Sequence, residues 1–119
     1  MLYESPRRFL LWKATVGHGQ LLLRSTKTPA QPTRIDVLFK PVQALNLRTH
    51  LDGIRLSEAD TDESAAILKS LAGDDSTATD PCKIFVVESK RWRGYIAAAV
   101  MAWHEDEGAY SDPSHFDSL

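Results

Sequence analysis

The chain has 119 residues, a mass of 13.3 kDa and a formal net charge of −2, which is one domain's worth of sequence, long enough to bury a core without staples. Cys82 is the sole cysteine, so an intramolecular disulfide and a cysteine-based zinc site within one chain are excluded, and a reducing compartment fits. The apolar run Phe9–Trp12 is cut short by Lys13, too short for a signal-peptide core or a membrane span, so a cytoplasmic protein is expected.

Charge is unevenly spread along the chain. Residues 1–57 carry nine Lys/Arg against three Asp/Glu, and residues 58–119 carry five against thirteen. In a compact fold the halves are expected to neutralise each other; a basic face, if one forms, would steer an acidic partner.

Phe9–Val16 reads as a first strand, with Leu10, Trp12, Ala14 and Val16 on its apolar face. Gly17-His18-Gly19 supplies a hairpin connection, and Gln20–Ser25 follows as the second strand. Its three consecutive leucines imply cover on both faces. Thr26–Pro32 has two prolines and no periodicity, so it is a loop.

Arg34–Arg48 is the longest stretch with β character. Ile35, Val37 and Phe39 share one face, with Asp36 and Lys40 opposite on a solvated side. At Lys40-Pro41-Val42 the apolar phase slips, and proline cannot donate a ladder hydrogen bond. The stretch is therefore expected to be a long strand bent near Pro41, or two short strands meeting at a corner. Thr49–Gly53 reads as a turn and Ile54-Arg55-Leu56 as a short strand.

One helix stands out, Thr61–Ala72. Asp60 is placed to cap its first amides, with Glu63 as capping-box partner and Asp62 near the positive end. Ser64, Ile67, Leu68 and Leu71 recur at helical spacing, so this face should lie on the sheet, and Gly73 closes the helix. Asp74–Pro81 is a polar connection.

Ile84–Val87 is apolar on both faces, as a central strand requires. Gly94–His104 reads as strand, with helix the competing reading for its alanine run. Its small side chains would let another element approach closely. The predicted fold class is α+β: a strongly curved or barrel-like antiparallel sheet of about six strands with one helix packed on it. Residues 1–104 form the expected single domain, and residues 105–119 an acidic flexible tail.

Catalytic signatures are absent. There is no Gly-x-Ser-x-Gly elbow, and Cys82 reads as a buried thiol with nothing nearby in sequence to lower its pKa. His18, His50, His104 and His115 lack the spacing of a metal site, and Asp60, Asp62 and Glu63 lack a calcium loop's spacing and central glycine. Asp36, Asp52 and Glu88 are the carboxylates that could pair as acid and base, against the plainer reading of charges on a solvated face. No catalytic residue, metal or cofactor is therefore assigned.

The candidate binding residues are Lys90, Arg91, Trp92 and Arg93, three cations around an aromatic in a tight turn, together with His18 between its glycines. Trp and Arg are favoured anchors in protein recognition. The mildly acidic chain carries no second basic–aromatic ribbon, which weighs against nucleic acid.

Val37–Leu47, continuing to Gly53-Ile54-Arg55-Leu56, resembles a pattern in small uncharacterised bacterial β-rich proteins, some of them similar to immunity proteins of polymorphic toxin systems. The shared feature is a Phe-x-x-Val step, a Leu-x-Leu strand and a Gly-Ile-x-Leu strand, about 20 residues in all. The strand order is also similar to pleckstrin-homology-like barrels, with an acidic tail where those have a C-terminal helix. The immunity-like resemblance implies a non-enzymatic domain that covers a toxin's active site, and carries over no site residue.

Two functions follow as expectations. The first is a non-enzymatic protein-binding or interaction domain, immunity-like in the sense above, using an exposed sheet face, a sheet edge or the Lys90–Arg93 tip; a homo-oligomer through the alanine-rich last strand is a variant of it. The alternative is a small-molecule-binding barrel or small enzyme whose pocket is lined by Trp12, Phe39, Phe85, Tyr95 and Trp103.

Overall fold

A computed structural model describes residues 1–15, 19–72, 83–109 and 113–118. Its elements run β1 (Tyr3–Thr15), β2 (Gln20–Ser25), β3 (Arg34–Asn46), β4 (His50–Glu58), α1 (Thr61–Ala72), β5 (Lys83–Ser89) and β6 (Trp92–Asp106), with a short 3-10 turn at His115–Ser118. The six strands hydrogen-bond antiparallel in a closed ring, in the order β1-β2-β3-β6-β5-β4. With the one helix, this is the α+β, barrel-like fold that the sequence predicts. No helix among the described residues is long and apolar enough to cross a membrane.

The interior is filled by side chains. Phe9, Leu21, Leu23, Ile35, Val37, Phe39, Leu51, Ile54, Leu56, Phe85, Val87, Ile96 and Ala98 form one buried cluster. Phe39 and Phe85 meet edge to face at 5.5 Å between ring centroids, a favoured aromatic geometry. Leu22 and Leu38 point the other way and join Phe116 and Trp12 in a second cluster on the outside of the barrel. The leucine run of β2 is thus covered on both faces, as expected.

β1 departs from the sequence reading in start and in phase. It begins at Tyr3, and its register against β4 shifts between Ser5 and Arg8, letting Pro6-Arg7 bulge. Phe9 points inward and Leu11 packs on the same core, while Trp12 lies outside. Leu10, Trp12 and Ala14 are therefore not the core face; Val16 lies outside the described residues. Four apolar residues in a row erase the alternation, and a second register shift at Leu11/Lys13 breaks what remains.

β3 keeps Ile35, Val37 and Phe39 inside as expected, and it is one continuous strand. The phase slip is real: Phe39 and Val42, three apart, both reach the core, and Lys40–Pro41 is a cis peptide. β6 slips at the same level, with Ala98 and Met101 both on the core and Val42 paired to Ala98. The slip therefore crosses both strands. Asp36, however, is buried at 1% exposure, not solvated.

β4 starts at His50, where the sequence suggests a turn, because Leu51 is a core residue. Gly53 has φ +76 opposite the β1 bulge, so Asp52-Gly53 mimics a turn inside a strand. Helix α1 has the predicted bounds, and the Asp60 carboxylate accepts the Glu63 N–H at 2.8 Å. The Glu63 carboxylate does not return to Asp60; it accepts two bonds from Arg93, each 2.8 Å. Thr61, Ser64, Ala65 and Leu68 bound a hollow against Lys83 and Ile84 of β5. Gly73, Asp74–Pro81 and Cys82 lie outside the described residues.

The C-terminal residues also differ from expectation. β6 runs on to Asp106, and residues 113–118 lie on the barrel's outer face, with Ser114 and Phe116 buried. They act as a strap rather than a loose tail.

Candidate functional site

At the Lys90–Arg93 tip Lys90 and Arg91 are exposed, while Trp92 and Arg93 turn to the core and to α1. Lys90 donates its backbone N–H to the Asp52 carbonyl at 3.2 Å, and Ser89 Oγ donates to the same oxygen at 3.0 Å. Arg91 sits at the turn with φ 60. Trp92 folds against the core, with the Arg48 guanidinium 5.8 Å from its ring centroid. Arg93 is engaged by Glu63 on α1. His18, the other predicted binding residue, lies outside the described residues.

Beside the tip, the β1 bulge, Gly53 and Ser89-Lys90 bound an open groove of about 690 Å³. Glu4, Arg55 and Glu88 among its lining belong to a charge ladder, Glu4 opposite Arg55 and Arg55 opposite Glu88, which continues outside the groove to Arg93. Alternating signs support the sheet and leave no single-sign field. Asp52 and Glu88 flank this groove, whereas Asp36 lies on the far outer face, so the three carboxylates do not converge.

A different surface has the character of a contact site. Among the described residues β6 pairs with β5 only from Trp92 to Ala98, and Val100–Asp106 pair with β3 alone. Residues Ala99–Trp103 on that open edge carry no charge and no proline. Val100 is 51% exposed and Trp103 48%, and Leu2, which shares a hollow with Val100, is exposed as is Met1 before it. Leu2, Glu58, Lys83, Phe85, Ala99, Val100 and Met101 line a hollow of about 210 Å³ at the same end. Trp103 stacks obliquely on Tyr3 at 4.8 Å. Burial raises the Tyr3 phenol above its usual pKa, opposed by its hydrogen bond with Ser5.

The outer face of β2-β3-β6 is the most built part of the molecule. Arg24 forks onto Asp36, with Nε–Oδ1 2.7 Å and a second nitrogen to Oδ2 at 3.1 Å, both side chains fully buried. Trp12 covers the Arg24 guanidinium at 4.8 Å. One rung away, Arg34 forks onto Asp106 with both contacts at 2.9 Å. Its guanidinium also donates to the carbonyls of Ala109 and Pro113, at 3.3 and 3.1 Å. That fork holds the Asp106 carboxyl below its usual pKa, helped by the Gly108 N–H and opposed by partial burial. Ser114 Oγ donates to Asp36 at 2.7 Å, and His115 stacks on His104 at 3.8 Å.

The five aromatics of the expected pocket are dispersed. Phe39 and Phe85 fill the core, Trp12 lies outside it, and Trp103 stands at the open edge. The described residues contain no group of three or more His, Cys, Asp or Glu arranged to hold a metal ion. Compared with protein-family models, with curated proteins and with solved structures, the chain matches none.

Proposed function

We propose that the chain is a protein-binding domain whose contact surface is the open, apolar edge of β6 at Ala99–Trp103 with the adjacent Met1-Leu2 segment. The observation that carries this reading is an edge that no element among the described residues covers. Sheet edges are commonly blunted by charge, proline or a covering element, because unpaired backbone groups recruit a strand from another chain. Here Ala99-Val100-Met101-Ala102-Trp103 has neither charge nor proline and no described strand beyond it. Backbone pairing would supply affinity, Val100 and Trp103 side-chain anchoring, and the alanines close approach. The filled barrel supports a surface function over an internal pocket. The immunity-like resemblance falls within this reading, a toxin then being the protein bound. Its positions are largely core strand residues, so it supplies no contact.

A photo-crosslinking residue at position 100 tests the reading in cells that express the chain, with the same residue at position 91 as comparison. A discrete protein adduct is expected from position 100. An adduct from position 91 alone would move the contact to the hairpin tip and overturn the assignment.

A further inference from the structure

We propose that the outer shelf formed by Arg24–Asp36, Arg34 and the Leu22/Leu38/Trp12 hollow is a peptide-docking site, with residues 113–118 as its resident occupant. The partner it fits is another protein's segment carrying a serine or threonine two positions before a phenylalanine.

The shelf is preorganised by contacts that do not involve the strap. Arg24 and Asp36 are locked by their own fork across β2 and β3, and Arg34 by its fork onto Asp106 across β3 and β6. A site whose polar groups are already oriented loses little on binding. Each recognition element has a direction. The Asp36 carboxylate takes a hydroxyl, here Ser114 Oγ. Arg34 takes a backbone carbonyl, here Pro113. Leu22, Leu38 and Trp12 take an aromatic ring, here Phe116 at 9% exposure. Together they read a hydroxyl–x–aromatic pattern on an incoming chain.

The occupant is short and is held by few buried side chains, Ser114 and Phe116, with Pro113 and His115 exposed, and an element with so little buried contact opens at low cost. It also hides charge. Arg24, Asp36 and Arg34 are all at least 97% buried, on the outside of the barrel rather than in its main apolar cluster. Such a polar cluster under a short segment is poor material for a core and good material for recognition. His115 stacked on His104 lies between the two anchors, where an incoming segment could offer a different side chain.

The test uses the full chain with Ser114→Ala and Phe116→Ala, which removes the strap's two side-chain anchors, leaves its Pro113 carbonyl on Arg34, and changes no residue of the shelf. The probe is a fluorescein-labelled peptide of sequence Pro-Ser-His-Phe-Asp-Ser, titrated by anisotropy. Saturable binding is expected, weakened about tenfold or more for wild type, where the resident strap competes. Replacing the peptide's phenylalanine by alanine is expected to weaken it as much. No saturable binding, or binding indifferent to that phenylalanine, overturns the proposal. Should the double variant lose its far-ultraviolet spectrum, wild type with excess peptide gives the answer: hydrogen exchange at 114–116 must speed up, and unchanged exchange overturns it. Wild-type dimers that Phe116→Ala abolishes would assign the shelf to a second copy and overturn the foreign partner.

Discussion

Arg24 and Asp36, twelve residues apart in sequence, face each other across β2 and β3 as a forked ion pair with side-chain exposures of 2% and 1%. Removing one member strands the other's charge away from water, the costly way to break such a pair. Asp36→Ala should lower stability by about 3–5 kcal/mol, read from urea unfolding midpoints. The double replacement Arg24→Met with Asp36→Leu should cost much less. Equal losses would mean that the charge itself is not what the fold depends on.

Asp106 gives the acid limb of stability a local cause. Its folded pKa is depressed, first by the Arg34 fork, so its stabilisation is present above the unfolded value of about 3.9 and fades as pH falls below it. Urea midpoints at pH 6 and pH 3 should therefore differ more for wild type than for Asp106→Asn. The same drop in both would place the acid sensitivity elsewhere.

Tyr3 acts at the opposite limb. Burial raises its folded pKa above the unfolded value near 10, so its contribution is whole below pH 10 and lost as pH rises through the folded value. Tyr3→Phe should lose less thermal stability than wild type between pH 8 and pH 11. The difference between the two chains is the informative quantity, since other groups titrate in both.

Gly94 fixes how the β5–β6 hairpin meets the barrel. A Cβ there would collide with the Asn46 backbone carbonyl and the Trp92 indole. The carbonyl cannot yield, because Asn46 lies in the β3–β6 ladder beside Tyr95. Gly94→Ala should cost about 1–3 kcal/mol as an overpacking change, with a shift in tryptophan emission as Trp92 is displaced.

Local signals carried most of the fold. β2 and α1 have the bounds read from their own residues, because the leucine run, the Asp60 cap and the apolar spacing are all short-range. The slip at Lys40–Val42 was visible for the same reason. What escaped was set by distant partners. Asp52-Gly53 looks like a turn until the β1 bulge opposite is known, and the Glu63 capping box fails because Arg93, 30 residues away, takes its carboxylate.

The candidate site was less legible. Lys90–Arg93 is conspicuous in sequence, yet α1 takes Arg93 and the core takes Trp92, leaving Lys90 and Arg91 exposed. Asp36 read as solvated because its cover, Ser114, lies 78 residues on. The alanine-rich stretch of β6 hinted at close approach, but an open edge is a property of strand order, which spacing alone does not encode.

The most direct test of the protein-binding reading is the affinity of the partner crosslinked at position 100, titrated against wild type, Val100→Asp and Arg91→Asp. Val100 and Arg91 are both exposed, so neither change should unfold the barrel. A charge placed on the open edge should weaken binding about 30-fold or more, as the loss of a central anchor of 2 kcal/mol or above does, with Arg91→Asp close to wild type. Undiminished binding by Val100→Asp, with loss in Arg91→Asp, would contradict the account.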